Sequence, residues 1–284
     1  MSLGDEIDRT LRTRRSLDGR AGAEFAKNAE PVVDALADLA RGGRTTDAVA
    51  LTERALGVLI EVLAQADDPA GAIGDLVRRL LDIHLDASRA GGQEPARLAW
   101  WLVRFGLDDQ DWFAVDVDTY ADPLGEAGVA VYRREVERRW SADDRSFGVR
   151  RAKERLAFLG RDIDELVALL GGDLGNSRQY LLVATAMRQL ERYDDALSWA
   201  LRGLTERPDR LVGKLYDFAV AEYLRRGATD DALALRRRQH GQQRTVASYL
   251  ALRSVARAAG TWDEDRPPAL AVLEEEPSAA FTAP

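Results

Sequence analysis

The sequence predicts an all-α protein, an α-solenoid of antiparallel helix pairs, and three observations lead there. Apolar residues recur at three- and four-residue spacing along nearly the whole chain, as in Val32, Val33, Leu36 and Leu39, and again in Val49, Leu51, Leu56, Leu59, Ile60 and Leu63. No segment sustains the two-residue alternation of a half-buried strand; the one β-like run, Val115 to Tyr120, is short and lies between helical patterns. Glycine or proline punctuates the pattern roughly every 10 to 20 residues, the length of ordinary helices joined by short connections.

The elements follow from that punctuation. Glycine pairs at Gly42-Gly43, Gly91-Gly92 and Gly171-Gly172 read as helix stops. Pro31, Pro95 and Pro123 read as first-turn residues, and Thr46, Asp162 and Asp194 as capping residues. The polar run Ser141 to Ser146 suggests a break. It divides an N-terminal helical-repeat region (1–141) from a second region (142–273), and a tail (274–284) that loses periodicity and is expected to be disordered or truncated.

The second region carries the clearest internal repeat. From Tyr180 a helix with Ala184 at its crossing point leads to Tyr193-Asp194-Asp195-Ala196-Leu197, which opens a second helix, with Pro208 after it. From Leu215 the pattern recurs, with Gly227 at the turn and Asp231-Ala232-Leu233 in register with Asp195-Ala196-Leu197 at an offset of 36 residues. This is the tetratricopeptide helix-turn-helix pattern. Weaker copies lie at Arg44 to Val49, at Gly160 to Leu166, and from Tyr249 to Leu270 with Gly260 at the turn, so the array is degenerate. Stacked pairs of this kind share a core that no single pair could bury.

Composition narrows the function classes. Of the 284 residues, 46% are hydrophobic and 31% charged, which describes a foldable chain rather than a disordered one. Forty basic against 48 acidic side chains give a formal charge of −8, which disfavours sequence-independent binding to nucleic acid by the protein as a whole. Lys27, Lys153 and Lys214 are the only lysines, and arginine supplies the other 37 basic residues, a bias that reads as GC-rich coding rather than phosphate recognition. The absence of cysteine removes disulfides, thiolate metal sites and thiol nucleophiles together. The polar, acidic start and the lack of a long apolar run lead us to expect a cytoplasmic protein that does not enter a membrane.

Three stretches carry a family resemblance: Leu76 to Arg89; Tyr120-Ala121-Asp122-Pro123-Leu124-Gly125-Glu126-Ala127-Gly128 followed by Tyr132-Arg133-Arg134; and the part from Tyr180 onward. Together they resemble, over most of residues 25 to 270, the helical region that accompanies SWIM zinc fingers in many actinobacterial proteins of unknown function. In such proteins the finger's CxC…CxH motif is presumed to contact nucleic acid or protein. That motif is absent here, so the resemblance implies a scaffold and no activity.

The chemistry-bearing constellations have structural readings. His84 and His240 are the only histidines and lie in no catalytic motif, so His84, between Ile83 and Leu85, reads as a packed residue; Asp82 and Asp86 beside it would support a metal only with donors from elsewhere. Gly171 to Ser177 follows a helix, not a strand, and reads as a turn rather than a phosphate cradle. Trp100, Trp101, Phe105, Trp112, Phe113 and Tyr120 form an aromatic cluster that reads as core before ligand pocket, with one of the adjacent tryptophans partly exposed. Asp108-Asp109, Asp143-Asp144 and Asp194-Asp195 read as helix-start carboxylates rather than acid–base pairs. Arg225, Arg226, Arg236, Arg237, Arg238 and Arg244 read as a solvated surface, with an anion-binding face second.

The leading expectation is therefore a non-catalytic protein-interaction scaffold with no cofactor and no metal. Arrays of this type turn the first helix of each pair inward. That places Arg178, Leu181, Thr185 and Arg188, then Lys214, Asp217, Ala221 and Leu224, then Ala247, Leu250, Ser254 and Arg257 along a groove. Arg178, Arg188, Lys214 and Arg257 make it positive, so it should prefer a protein or peptide partner with acidic residues, or the acidic segment Glu274 to Glu276 itself. One rival is a helical support for a missing nucleic-acid-binding module, contributing a basic edge at Arg145, Arg150, Arg151, Lys153 and Arg155. Another is an enzyme for which no residue set can be named. Added chelator is expected to leave the melting temperature unchanged, and a drop of several degrees would reveal a metal site.

Overall fold

In the computed structural model, which describes residues 2–13, 16–91, 93–206, 209 and 211–274, every regular element is helical and no strand occurs among the described residues. The chain divides into two compact units, 1–160 and 161–284.

The first unit comprises α1 (Leu3–Leu11), α2 (Gly19–Arg41), α3 (Thr45–Leu63), α4 (Ala72–Arg89), α5 (Pro95–Arg104), a π-helical turn (Phe105–Asp109), α6 (Ala121–Ser141) and α7 (Phe147–Gly160). Helices α1 to α4 pack on one another, α6 packs on α5 and α4, and α7 lies against α6 and the π-turn. Their apolar faces meet in one core that includes Ile7, Val33, Leu36, Leu56, Leu59, Leu80, Leu98, Leu102 and Leu124.

Several sequence expectations shift here. Pro31 does not start a helix: Asp18 caps α2 by accepting from Ala21 N at 2.9 Å, and the helix runs through the proline. Ala26 and Ala29 before Pro31, with Val32, Val33 and Leu36 after it, bury one continuous face that offsets the lost backbone bond. Thr46 is not a cap, since α3 begins at Thr45 and the capping position falls on Arg44, whose guanidinium pairs with Asp47 at 2.6 Å. Asp108 and Asp109 follow α5 rather than opening a helix; at this end the dipole is unfavourable, and Arg139 and Arg104 neutralise them instead. The Val115–Tyr120 run is irregular backbone and turn.

The break between units falls after Gly160, whereas the polar run had placed it after residue 141. Helix α7 belongs to the first unit because Arg151 grips Asp116 at 2.7 and 2.8 Å and Arg155 grips Asp118, tying it to the loop before α6. Within α6 the stretch Leu124 to Gly128 has a local task. Gly125 adopts φ 54° and ψ −173°, a conformation open only to glycine, and kinks the helix. At Gly128 a Cβ would lie 2.9 Å from the Pro95 carbonyl oxygen, so only glycine lets α6 cross the start of α5.

The second unit comprises α8 (Ile163–Gly171), α9 (Ser177–Gln189), α10 (Tyr193–Glu206), α11 (Val212–Arg225), α12 (Thr229–Gln243), α13 (Val246–Ala259) and α14 (Trp262–Glu274). Each helix packs on the next, and α9 also packs on α11. Asp162 caps α8, and Asn176 and Thr245 open α9 and α13 with reciprocal side-chain and backbone bonds. Two buried tyrosines clamp successive helix pairs in the same way: Tyr180 donates to Glu206 at 2.6 Å and, 36 residues on, Tyr216 donates to Gln242 at 2.6 Å. Helices α9 and α11 lie side by side and parallel, since Ser177 N donates to Asp209 at one end and Arg188 reaches Glu222 at the other. By contrast, α13 and α14 join through α12. Pro267 and Pro268 lie inside α14, which extends to Glu274.

Gly203 is where α9, α10 and α11 converge, because a Cβ there would stand 2.6 Å from Tyr180 Cβ and 2.8 Å from Leu215 Cδ1. Gly203→Ala is expected to destabilise the protein by about 1–3 kcal/mol in urea denaturation. Gly57→Ala, in α3 with nothing within 4 Å of the new methyl, is expected to stabilise it by about 0.5–1 kcal/mol. Equal effects at the two positions would refute the crossing argument.

Candidate functional site

The face expected to bind is solvent-accessible. Arg178, Arg188, Lys214, Asp217, Ala221, Leu224, Ala247, Leu250, Ser254 and Arg257 are exposed, and Leu181 and Thr185 half-buried. The parallel alignment of α9 and α11 sets Arg178 and Lys214 at the same end of this face. Neither they nor Arg257 engages in a side-chain hydrogen bond or ion pair among the described residues. Leu182 and Leu224 leave 39% and 43% of their area in water; Leu182 lies one turn from Arg178, whereas Leu224 lies at the far end of α11 from Lys214.

Two members of the face are already engaged. Arg188 lies over the Phe218 ring at 4.6 Å and stands 3.8 Å from Glu222, a carboxylate 2% exposed that also accepts from Arg225 Nε at 3.0 Å. Arg188 therefore helps neutralise a buried charge between α9 and α11. Asp217 pairs at 2.8 Å with Arg236, itself 8% exposed. Arg257 lies on α13, which reaches the array through α12 and α14. Of the acidic segment only Glu274 falls within the described residues, as the end of α14; Glu275 and Glu276 lie outside them, as do Pro208 and Gly92.

Four of the five residues of the rival reading's basic edge are also engaged, Arg150 being exposed. Arg151 and Arg155 hold Asp116 and Asp118, Lys153 donates to Glu137 at 2.9 Å, and Arg145 stacks on Trp140 at 3.8 Å. Arg237 likewise pairs with Asp265 at 2.6 Å, and Arg226 with Asp194 at 2.7 Å.

A buried polar network in the first unit escaped the sequence reading. His84 is fully buried, stacked on Trp101 with 3.9 Å between ring centroids, and lies 3.0 Å from the Tyr120 hydroxyl and 3.4 Å from Glu53 Oε1. Glu53 accepts from Arg97 at 2.5 and 3.1 Å. Burial lowers the His84 pKa, and the opposing pull of Glu53 does not restore it. Burial by itself would raise Glu53, but hydrogen bonds from His84 and Arg97 outweigh it and hold the carboxyl below its ordinary range. Burial, then the Asp82 carboxylate, pushes the Tyr120 phenol above its usual value. The result is a neutral imidazole held between a phenol and an ionised carboxylate, an arrangement that locks α3, α4 and α5 to the loop before α6. Of the adjacent tryptophans, Trp101 is buried and Trp100 is 54% exposed.

His240 is buried as well, 3.0 Å from Ser248 Oγ and 2.8 Å from the Ala269 carbonyl, and joins α12, α13 and α14. Gly171 to Ser177 is the turn between α8 and α9, closed by Gln179, which donates to Asp173 and accepts from Gly175 N. Among the described residues no group of three His, Asp or Glu side chains could hold a metal ion, and no helix is long and apolar enough to cross a membrane.

The chain matches no protein-family model, no curated protein and no solved structure.

The His84 network carries a pH dependence with a definite sign. A histidine whose folded pKa is lowered below its ordinary 6.5 binds its proton more readily in the unfolded chain. Its contribution is present above about pH 6.5 and is lost as pH falls through the folded value. The unfolding free energy is therefore expected to decrease between pH 7.5 and 5.5, and His84→Gln to flatten that decrease. An unchanged slope in the variant would assign the dependence to other groups.

Proposed function

We propose that this protein is a non-catalytic interaction scaffold of degenerate tetratricopeptide-like helix pairs, and that the face of α9 and α11 takes an acidic peptide or partner segment. The observation that carries the reading is the exposed Leu182 one turn from Arg178, on a helix that runs parallel to α11 and shares its end with Lys214, neither cation being paired among the described residues. Apolar anchors beside unpaired cations suit a segment with carboxylates next to hydrophobic side chains, since arginine can hold a carboxylate with two parallel hydrogen bonds. The tyrosine clamp repeated at 36 residues and the α9–α11 contact support the repeat reading. The likeness to helical regions beside SWIM zinc fingers enters at the level of scaffold, and the kink at Gly125 with the crossing at Gly128 gives its most specific stretch a structural role.

Because Arg188 compensates the buried Glu222, the test uses the two free cations. A panel of acidic, leucine-containing peptides is titrated by fluorescence anisotropy against the protein and against Arg178→Glu combined with Lys214→Glu, at low and high salt. The double reversal is expected to weaken binding about tenfold or more, with salt weakening the parent in the same direction. No binding at low salt, or binding indifferent to the reversal, would remove the proposal.

A further inference from the structure

Beside the π-turn of the first unit, the loop from Gly106 to Asp116 and the first turns of α7 enclose a concavity of about 220 Å³. Its rim carries Trp112 and Phe147, 54% and 72% exposed, areas of aromatic surface that a folded chain ordinarily covers. Its lining includes Tyr132, a side chain only 2% exposed whose hydroxyl takes no hydrogen bond among the described residues. The hydroxyl is not among the fully buried polar atoms that lack a partner, so it is open to a donor or acceptor that enters the concavity. Burial, followed by the Asp116 carboxylate in the same wall, raises the Tyr132 pKa, so the hydroxyl is a neutral donor at ordinary pH.

The wall is pre-shaped. The Gln110 amide, 6% exposed, accepts from the backbone N–H of Trp112 and Phe113 at 2.8 and 2.7 Å and donates to the carbonyls of Phe105 and Phe113 at 3.1 and 2.8 Å. All four bonds fix the loop that presents Trp112. Opposite, Gly148 brings α7 against the π-turn with no side chain between, since a Cβ would lie 3.2 Å from the Gly106 carbonyl oxygen. The charged groups lining the site are Asp111, Asp116 and Arg151, and Arg151 is bound to Asp116 through two hydrogen bonds. The balance is negative.

We propose that this concavity binds a small aromatic molecule of one or two rings, neutral or bearing a protonated amine, which packs on Trp112 and Phe147 and turns its polar group toward Tyr132 and Asp116. The volume suits such a ligand. Aromatic faces with carboxylates beside them favour a cation over an anion.

Tryptamine, indole and indole-3-acetate share one ring system and differ in charge, so ligand-observed NMR titration of the full chain with each separates ring recognition from charge. Tryptamine and indole are expected to bind, and indole-3-acetate about tenfold more weakly or not at all. Phe147→Ala removes a side chain that supports no core, so it should leave the melting temperature unchanged and weaken tryptamine about three- to tenfold. Tyr132→Phe, which deletes the hydroxyl alone, should weaken it by a similar factor. Absence of binding by all three probes at millimolar concentration, or affinity unaltered by Phe147→Ala, would overturn the site; acetate binding as tightly as the amine would overturn its charge class.

Discussion

Helix backbones can approach closely only where side chains leave room, and each unit turns on such an approach. At Gly203 the missing Cβ admits Tyr180 and Leu215 together, so α10 lies between α9 and α11 and both can pack on it. The Tyr180 to Glu206 bond, the alignment of α9 with α11, and the shared edge of Arg178 and Lys214 all follow from that depth of packing. In the first unit Gly128 plays the same part for α6 over α5. Packing forces at this range leave no tolerance for an added methyl.

Around these crossings the chain places charge where amphipathic helices ordinarily place leucine. Glu222, Arg236, Lys153 and Asp265 are each less than a tenth exposed, and each meets an opposite charge from another helix or from its own next turn. Buried pairs of this kind contribute little net stability, because desolvation opposes the Coulomb gain. Their effect is selective: a helix that docked elsewhere would leave a buried charge unpaired, at a cost of several kcal/mol, about 3–5. Arginine suits the work, since its planar fork takes a carboxylate through two bonds. Many of the 37 arginines are engaged in ion pairs within the protein, most of them at its surface.

This internal use of cations changes how the surface reads. On a chain with a formal charge of −8, the starts of α9 and α11 are a place where positive charge faces water, with the exposed Leu182 one turn from Arg178. The aromatic concavity of the first unit has the opposite character, with carboxylates outnumbering the guanidinium. The two proposed sites would thus take ligands of opposite charge and different size, a segment of chain in one and a small amine or neutral ring in the other.

Helical class and the 36-residue recurrence were legible in the sequence, because they depend on spacing within a few turns; of the caps named from sequence only Asp162 caps a helix, while Thr46 and Asp194 fall inside first turns and the caps Asn176 and Thr245 went unread. Exposure of one of two adjacent tryptophans followed equally from the 100° step between neighbours on a helix. What remained hidden depends on partners distant along the chain. Glu222 stands in register with the buried Leu215, Phe218 and Ala219, so its burial carried a signal; that Arg188 would answer it, 34 residues earlier, did not. Pro31 and the Asp108-Asp109 pair misled because a buried face or a distant arginine outweighed the local preference. The His84 network joins α3, α4, α5 and the loop before α6, and the Tyr132 concavity forms only where α7 meets the π-turn. Sequence periodicity reports which face of a helix avoids water; which helix covers that face, and what it leaves open, is decided by tertiary contact alone.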